Sequence, residues 1–242
     1  MREVELKITQ NTKVSNDIYL MRLEGDVSEV KNSGEFINIT LPGHYLRRPI
    51  SVSDYGPGYI EILFKILGQG TKDMSILEVG KYLNCLVGLG NGFDLKTDVK
   101  PLLIAGGIGI APFFAVIKYY NSKGIKPTLV YGARSKDDLV LVDKLSKMCD
   151  LHLCTDDGSY AFKGNVLDLI KNDEIKFDYY YACGPYRMLE NIAKTYPNGE
   201  VSLEARMGCG FGACMGCSIK TTDGTKRVCK EGPVFKASEV QF

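Results

Sequence analysis

Four cysteines crowd the last part of this 242-residue chain. Cys209, Cys214 and Cys217 stand with four and then two residues between them, and Cys229 follows after eleven more. A gap of four and then two lets a loop curl round one iron-sulfur rhomb while a later strand returns the fourth thiolate, which is the spacing of plant-type [2Fe-2S] ligands. Gly208, Gly210, Gly212 and Gly216 are interleaved with the thiols. They permit positive φ and let backbone N–H groups approach sulfur, a contact that tunes a cluster's potential. Four cysteines also suit a structural zinc ion, but zinc ribbons present two pairs of two-residue spacing, and only Cys214 and Cys217 form such a pair here. Cys85, Cys149, Cys154 and Cys183 have no ligand spacing and read as small buried hydrophobes.

Other segments suit phosphate-bearing molecules. LRRPIS, residues 46–51, sets arginines before a strand-like run, and alternation puts Arg48 and Ile50 on one face, Pro49 and Ser51 on the other. A guanidinium and a hydroxyl beside free backbone amides suit a pyrophosphate, although an Arg-Arg pair on a strand also reads as a solvated edge. GQGT, residues 68–71, is a glycine turn before a helical pattern, a favourable anion site; the plainer reading is a turn with Thr71 as N-cap. LLIAGGIGIAPFFAVI, residues 102–117, offers Gly106, Gly107 and Gly109 between a strand and a helix start, where a dinucleotide's phosphates approach. It lacks the G-x-G-x-x-G fingerprint.

TDDGS, residues 155–159, and CGP, residues 183–185, end two later strands. With the glycine turn they line one crevice at the carboxyl edge of a doubly wound sheet. Asp156 and Asp157 read equally as solvated turn residues and as ribose or ring contacts. In YGARSKDD, Asp137 and Asp138 follow Arg134 and Lys136 at once, so no cation stands free for a 2′-phosphate, which favours NAD over NADP.

These residues need elements to position them. Residues 1–97 read as short strands, VELKITQ, DIYLMRL, EFINITL, YLRRPISVSD, YIEILFKIL and KYLNCLV, separated by turn residues, the pattern of a small antiparallel barrel. DMSILEV, residues 73–79, has helical spacing. Residues 98–205 alternate apolar strands with amphipathic helices, as a parallel sheet of βα units requires. Pro112 and Pro185 open helical runs, where a missing N–H costs least. Residues 206–242 lose regular periodicity and need something other than apolar burial to order them. The fold class is therefore β plus α/β with a small cluster segment.

Thirty basic and twenty-nine acidic side chains leave a formal charge of +1, so neither nucleic acid nor an acidic membrane is an expected partner. The start, MREVELKITQ, alternates charged and apolar residues and lacks the apolar run of a secretory signal or membrane span; the expected location is the cytoplasm. His44 and His152 are the only histidines and read as surface or satisfied polar residues. No catalytic acid, base or nucleophile is nominated.

The order of Arg-x-x-Ser in a barrel, Gly-x-Gly-Thr, GLGNGF, GGIGIAP and CGP resembles the ferredoxin-NADP reductase superfamily. With MGCGFGACMGC and VCKEGPVF at the end, the whole chain is similar to the electron transfer subunits of dihydroorotate dehydrogenase B. The resemblance implies FAD held by Arg48, Pro49, Ile50, Ser51, Leu63, Phe64, Lys65, Gly70 and Thr71, with Cys183 and Gly184 near flavin and nicotinamide. Ile50 stands where many superfamily members carry a tyrosine, so aromatic stacking from that position is absent. It further implies a [2Fe-2S] cluster on the four late cysteines, NAD as co-substrate, and a separate FMN-containing catalytic subunit that oxidises dihydroorotate in pyrimidine synthesis, assembled as two copies of each chain. Met207, Phe211, Met215 and Phe235 suit a docking surface for that subunit. Rival readings are an electron-transfer subunit of a hydrogenase or of a ferredoxin-NADP oxidoreductase, and a non-enzymatic redox-sensing or zinc-stabilised module.

Overall fold

A computed structural model describes residues 1–242. Six strands, β1 (Arg2–Lys13), β2 (Ile18–Glu24), β3 (Phe36–Ile39), β4 (Arg48–Gly56), β5 (Tyr59–Lys65) and β6 (Tyr82–Leu89), close an antiparallel barrel in the order β1-β2-β5-β4-β3-β6. Alternation fills it: Leu6, Ile8, Met21, Leu23, Ile37, Ile39, Ile60 and Ile62 are all buried in its core. Helix α1 (Gln69–Ser75) lies four residues earlier than the apolar spacing of residues 73–79 predicts. Its Met74 is buried in the barrel core, so α1 serves as a plug held by that one side chain, and Ile76 and Val79 stay exposed.

Residues 90–100 cross to a second layer. There β7 (Pro101–Gly106), β8 (Thr128–Ala133), β9 (Asp150–Thr155), β10 (Phe162–Lys163), β11 (Tyr179–Cys183) and β12 (Gly199–Ser202) pair in parallel in the order β10-β9-β8-β7-β11-β12. The order reverses between β7 and β11, the switch point at which such sheets bind ligands. Central strands are buried on both faces, hence the unbroken apolar runs PLLIAG and YYYAC. Leu103, Ala105, Tyr181 and Cys183 face helices α2 (Phe113–Ser122) and α3 (Val142–Met148), whereas Leu102, Ile104, Tyr180 and Ala182 face α4 (Val166–Asn172) and α5 (Tyr186–Thr195). Sequence reading did not include α4, although Asn165 caps it in the usual way, accepting from the Leu167 and Asp168 N–H groups.

The late segment is not irregular. Ser218–Thr221 (β13) and Gly224–Arg227 (β14) form a hairpin round an Asp223-Gly224 turn, and Val234–Lys236 (β15) adds antiparallel to β12 at the sheet's edge. The two large units are clasped by Lys118 of α2 on the buried Asp54 of β4 at 2.7 Å. The crossing chain is pinned by Glu200, which accepts the Asp94 N–H at 3.0 Å, and by the Tyr181 hydroxyl, which accepts from Lys96 N–H at 2.9 Å and donates to the Asp94 carbonyl at 3.0 Å. No helix is long and apolar enough to cross a membrane.

Candidate functional site

Strands β4 and β5 pair from Val52 opposite Ile62 to Gly56 opposite Tyr59 and then part. Residues 48–51 continue on β3, and Leu63, Phe64 and Lys65 continue on β2. The parting leaves two backbone edges facing an opening of about 1040 Å³. Arg48, Pro49, Ile50, Ser51, Leu63, Phe64, Lys65 and Thr71 line it from the barrel, and Cys183 lines it from the end of β11. The expected alternation of Arg48 and Ile50 against Pro49 and Ser51 does not govern here, because an open strand edge, not one face, is the wall.

Gly70 stands behind the wall. A Cβ there would lie 2.2 Å from Arg48 Nε, so only glycine lets the guanidinium rest on α1. Arg48 Nη2 lies 2.7 Å from His44 Nδ1, and His44 Nε2 lies 2.7 Å from Asp73 Oδ2. Guanidinium only donates, so Nδ1 accepts and the ring proton sits on Nε2, donated to Asp73. Hydrogen bonds from His44 and Gln69 hold the Asp73 carboxyl below its usual range. Thr71 is not the N-cap; Gly68 is, and the Thr71 hydroxyl reaches back to accept from the Leu67 and Gly68 N–H groups at 2.9 and 3.2 Å. Burial pushes the Cys183 thiol up to about 12, so it is a neutral, compact wall.

The other side of this opening, with Phe36, Ile108, Pro112, Ser202, Glu204, Met207 and Pro233 among its residues, is missing from the sequence reading. Ile108, Pro112, Met207 and Pro233 lie within the glycine-turn and cysteine segments, but nothing local marks them as cavity wall; only the packing of separate chain segments brings them together. Glu204 opens onto the cavity, and crowding by its walls raises its carboxyl above the usual range.

A second opening of about 1080 Å³ lies at the carboxyl edge of β7, β8 and β9, with Gly106, Gly107, Arg134, Asp138, Asp156 and Asn165 in its wall. Lys65 and Leu67 belong to both walls. Gly107 has φ +54° and open space where a Cβ would stand, the property a close-approaching ligand requires. Gly109 and Gly184 border neither cavity. A Cβ on Gly109 would be 2.3 Å from the Cys183 carbonyl oxygen, and one on Gly184 2.6 Å from Met188 Cε; both glycines serve packing. Asp157 accepts from Ser159 N–H at 2.9 Å and so closes its own turn, leaving Asp156 toward the crevice. The cations are occupied: Lys65 Nζ sits 2.8 Å from Asp138 and 3.2 Å from Asp17, and Arg134 sits 3.4 Å from Asp138. The Lys65 hydrogen bond, foremost, holds the Asp138 carboxyl below its usual range.

The four late thiols meet as two pairs, Cys209 with Cys214 and Cys217 with Cys229. No three of the chain's His, Cys, Asp or Glu side chains meet round one point. Two pairs suit a two-iron core with two cysteines on each iron better than a single ion. Burial raises the Cys209 thiol, but N–H groups of Cys214, Phe211 and Ala213 outweigh it and bring it down to about 6, toward the thiolate that binds metal. Gly210 and Gly212 have φ of +76° and +89°, as expected; Gly208 and Gly216 do not adopt positive φ. Asn38 of the barrel donates to the Cys209 carbonyl at 3.1 Å, and a Cβ on Gly210 would fall 2.3 Å from that amide nitrogen. Met207 and Pro233, which flank the thiol segment, are walls of the first opening, so the thiols and that cavity share one stretch of chain.

Comparison with known sequences decides the family. Residues 204–241 match the iron-sulfur cluster binding domain of dihydroorotate dehydrogenase B, and residues 103–194 match the oxidoreductase NAD-binding domain. The dihydroorotate dehydrogenase B (NAD(+)) electron transfer subunit of Fusobacterium nucleatum is 37% identical, with all of both chains covered. That of Streptococcus pneumoniae is 36% identical over 97% of each chain. The chain belongs to the family of dihydroorotate dehydrogenase B electron transfer subunits.

Solved structures agree with this family fold. The NADH-dependent reduced ferredoxin-NADP oxidoreductase has a chain 28% identical with TM-score 0.89, covering 98% of this chain and 89% of its own. The ferredoxin NADP+ reductase of Neisseria gonorrhoeae, solved with FAD and NADP, shares the fold at 18% identity and TM-score 0.69, covering 81% and 90%. Three of the remaining cysteines, Cys85, Cys149 and Cys154, are buried, and burial pushes each thiol up to about 12, as befits inert core residues of this family member.

Proposed function

We propose that the chain is the NAD-linked electron transfer subunit of a dihydroorotate dehydrogenase, passing electrons from a catalytic partner to NAD⁺ through a [2Fe-2S] cluster and FAD. The observation that carries this reading is the junction of thiol pairs and the β4/β5 opening through Met207 and Pro233. Arg48, Pro49, Ile50, Ser51, Leu63, Phe64 and Thr71 would hold FAD, with Gly70 seating Arg48. Lys65 contributes its stem, since its ammonium is committed to Asp138 and Asp17. Gly106, Gly107 and Asp156 would receive the dinucleotide, with Cys183 on the flavin side. Cys209, Cys214, Cys217 and Cys229 would hold the cluster. Bound flavin supplies the link between hydride exchange with nicotinamide and one-electron exchange with iron.

The residues themselves orient and shield. A neutral Cys183 puts no charge at the end of β11, and Asp138 pairs with both Lys65 and Arg134 in the wall of the dinucleotide opening, which supports NAD. The partner would carry FMN, two copies of each chain assembling; that the relatives are named electron transfer subunits supports a separate catalytic chain. Phe211 and Met215 are exposed beside the thiols and would meet the partner. Phe235 is buried in the sheet's core, and Met207 lines the cavity, so neither belongs to that surface. The expected compartment is the cytoplasm.

The test is a visible spectrum before and after dithionite with flavin extraction, then NADH-dependent dye reduction. FAD, iron, acid-labile sulfide and turnover are expected; a zinc-containing, flavin-free chain without turnover refutes the proposal. The likeness at TM-score 0.89 to a ferredoxin-NADP oxidoreductase chain favours one second reading, that of a subunit in such an enzyme. Co-purification separates them: a flavoprotein active on dihydroorotate supports the first, a ferredoxin-linked partner the second.

A further inference from the structure

The two thiol pairs differ in what surrounds them. Around Cys209 the neighbours are the backbone N–H groups of Cys214, Phe211 and Ala213 and the Cys214 thiol. Around Cys229 the sulfur accepts from the Gly212 N–H, and the carbonyl of that same Gly212 accepts from Arg227 Nη1. Arg227 is gripped in turn by Glu231, with Nε to Oε2 at 3.1 Å, backbone N to Oε2 at 2.7 Å, and Nη2 to Oε1 closing the fork. Because the Gly212 carbonyl and the Ala213 N–H share one peptide, and that N–H is donated to Cys209, the chain of contacts runs carboxylate, guanidinium, peptide, Cys209 sulfur. The guanidinium is the inner charge, acting on the Cys217 and Cys229 sulfurs, and the carboxylate is the outer one.

A fully charged cation beside one thiolate pair favours the form of the core that carries one more electron. A hydrogen bond to sulfur does the same, since both stabilise added negative charge. The Gly212 carbonyl shares its peptide with the Ala213 N–H, so the guanidinium on that carbonyl strengthens the Ala213 N–H as a donor to the Cys209 sulfur. Glu231 opposes the cation while fixing its position. Gly212 has φ +89°, and a Cβ there would lie 2.4 Å from Lys230 Cδ, so the position favours glycine.

We infer that Arg227 and Glu231, acting through the Gly212–Ala213 peptide and directly on the nearby sulfurs, set the cluster's reduction potential, Arg227 raising it and Glu231 lowering it. Arg227 is a positioning residue for electron transfer and ligates nothing itself. The inference rests on the cluster reading of the four thiols.

The experiment is an EPR-monitored redox titration of the full chain, reconstituted with iron and sulfide, as wild type, Arg227→Gln and Glu231→Gln, each first assayed for iron and sulfide. Arg227→Gln is expected to lower the potential and Glu231→Gln to raise it. Each shift is about threefold or more in the one-electron equilibrium, about 28 mV at 59 mV per decade. Potentials that coincide with wild type, or that move in the same direction in both variants, overturn the inference. If Arg227→Gln loses its iron, Glu231→Gln decides alone: a raised potential upholds the inference and an unmoved one overturns it. A wild type with no iron or sulfide instead takes down the cluster reading beneath it.

Discussion

Gly70→Ala separates fold from cofactor affinity. Gly70 lies inside α1 at ordinary helical φ, so alanine there gains about 1 kcal/mol of helix stability. The new Cβ would stand 2.2 Å from Arg48 Nε and 2.8 Å from Cζ. Ordinary contact begins near 3.4 Å, so the guanidinium must withdraw by roughly 1 Å or more, beyond the play of a hydrogen bond. The far end of an arginine is flexible, so the barrel absorbs the change, but Arg48 leaves the His44 nitrogen and its place in the cavity wall. A charged hydrogen bond is worth about 1.5–3 kcal/mol, which at 1.4 kcal/mol per decade is a loss of roughly 10- to 150-fold in FAD affinity. Fluorescence titration of the apoprotein with FAD measures the affinity, and calorimetry of the apoprotein measures the fold. The expected result is weaker binding with an unchanged or higher Tm, and no additional loss when Gly70→Ala is combined with Arg48→Ala. Wild-type FAD affinity in Gly70→Ala refutes the assignment of Arg48 to the cofactor.

Asp138→Asn should free Arg134, leave Lys65 paired with Asp17 alone, and lower the KM for NADPH relative to NADH by roughly 5-fold, about 1 kcal/mol; unchanged steady-state selectivity would show that these cations do not decide it. Cys209→Ser should abolish iron binding while Cys149→Ala keeps it, as iron and sulfide assays on the purified chains will tell. Burial pushes the Glu200 carboxyl from its usual 4.5 up to about 7. The folded chain therefore holds a proton that the unfolded chain has released between those values, and stability falls as pH rises from 4.5 to 7. The full effect is on the order of 3 kcal/mol at most. Glu200→Gln keeps an acceptor for Asp94 and should flatten Tm across pH 5 to 7.5; parallel Tm profiles for the two proteins would remove Glu200 from the account.

Periodicity carried most of the architecture into view. The barrel strands and the strands of the sheet fall close to their sequence patterns because apolar alternation and unbroken apolar runs are local signals. α1 fell four residues off because one buried side chain, Met74, governs it. α4 and the hairpin at Ser218–Thr221 went unread although Asn165 and the Asp223-Gly224 turn mark them locally. The thiols were legible because ligand spacing is written along the chain. The wall from Ser202 to Met207 was not, since its part in the cavity comes from packing against strands 150 residues away. Glycine freedom looks the same in sequence whether a ligand or a neighbouring group fills the space: Gly109, expected at a dinucleotide's phosphates, packs on the Cys183 carbonyl, and Gly184, expected near flavin and nicotinamide, packs on Met188.

Strand β15 follows the thiol loop in the chain yet closes the exposed side of β12. Until Val234–Lys236 has docked, β12 offers unpaired amides and carbonyls to any passing strand. The rim of the sheet is thus sealed last along the chain, only after the cysteine loop that precedes β15 has been laid down.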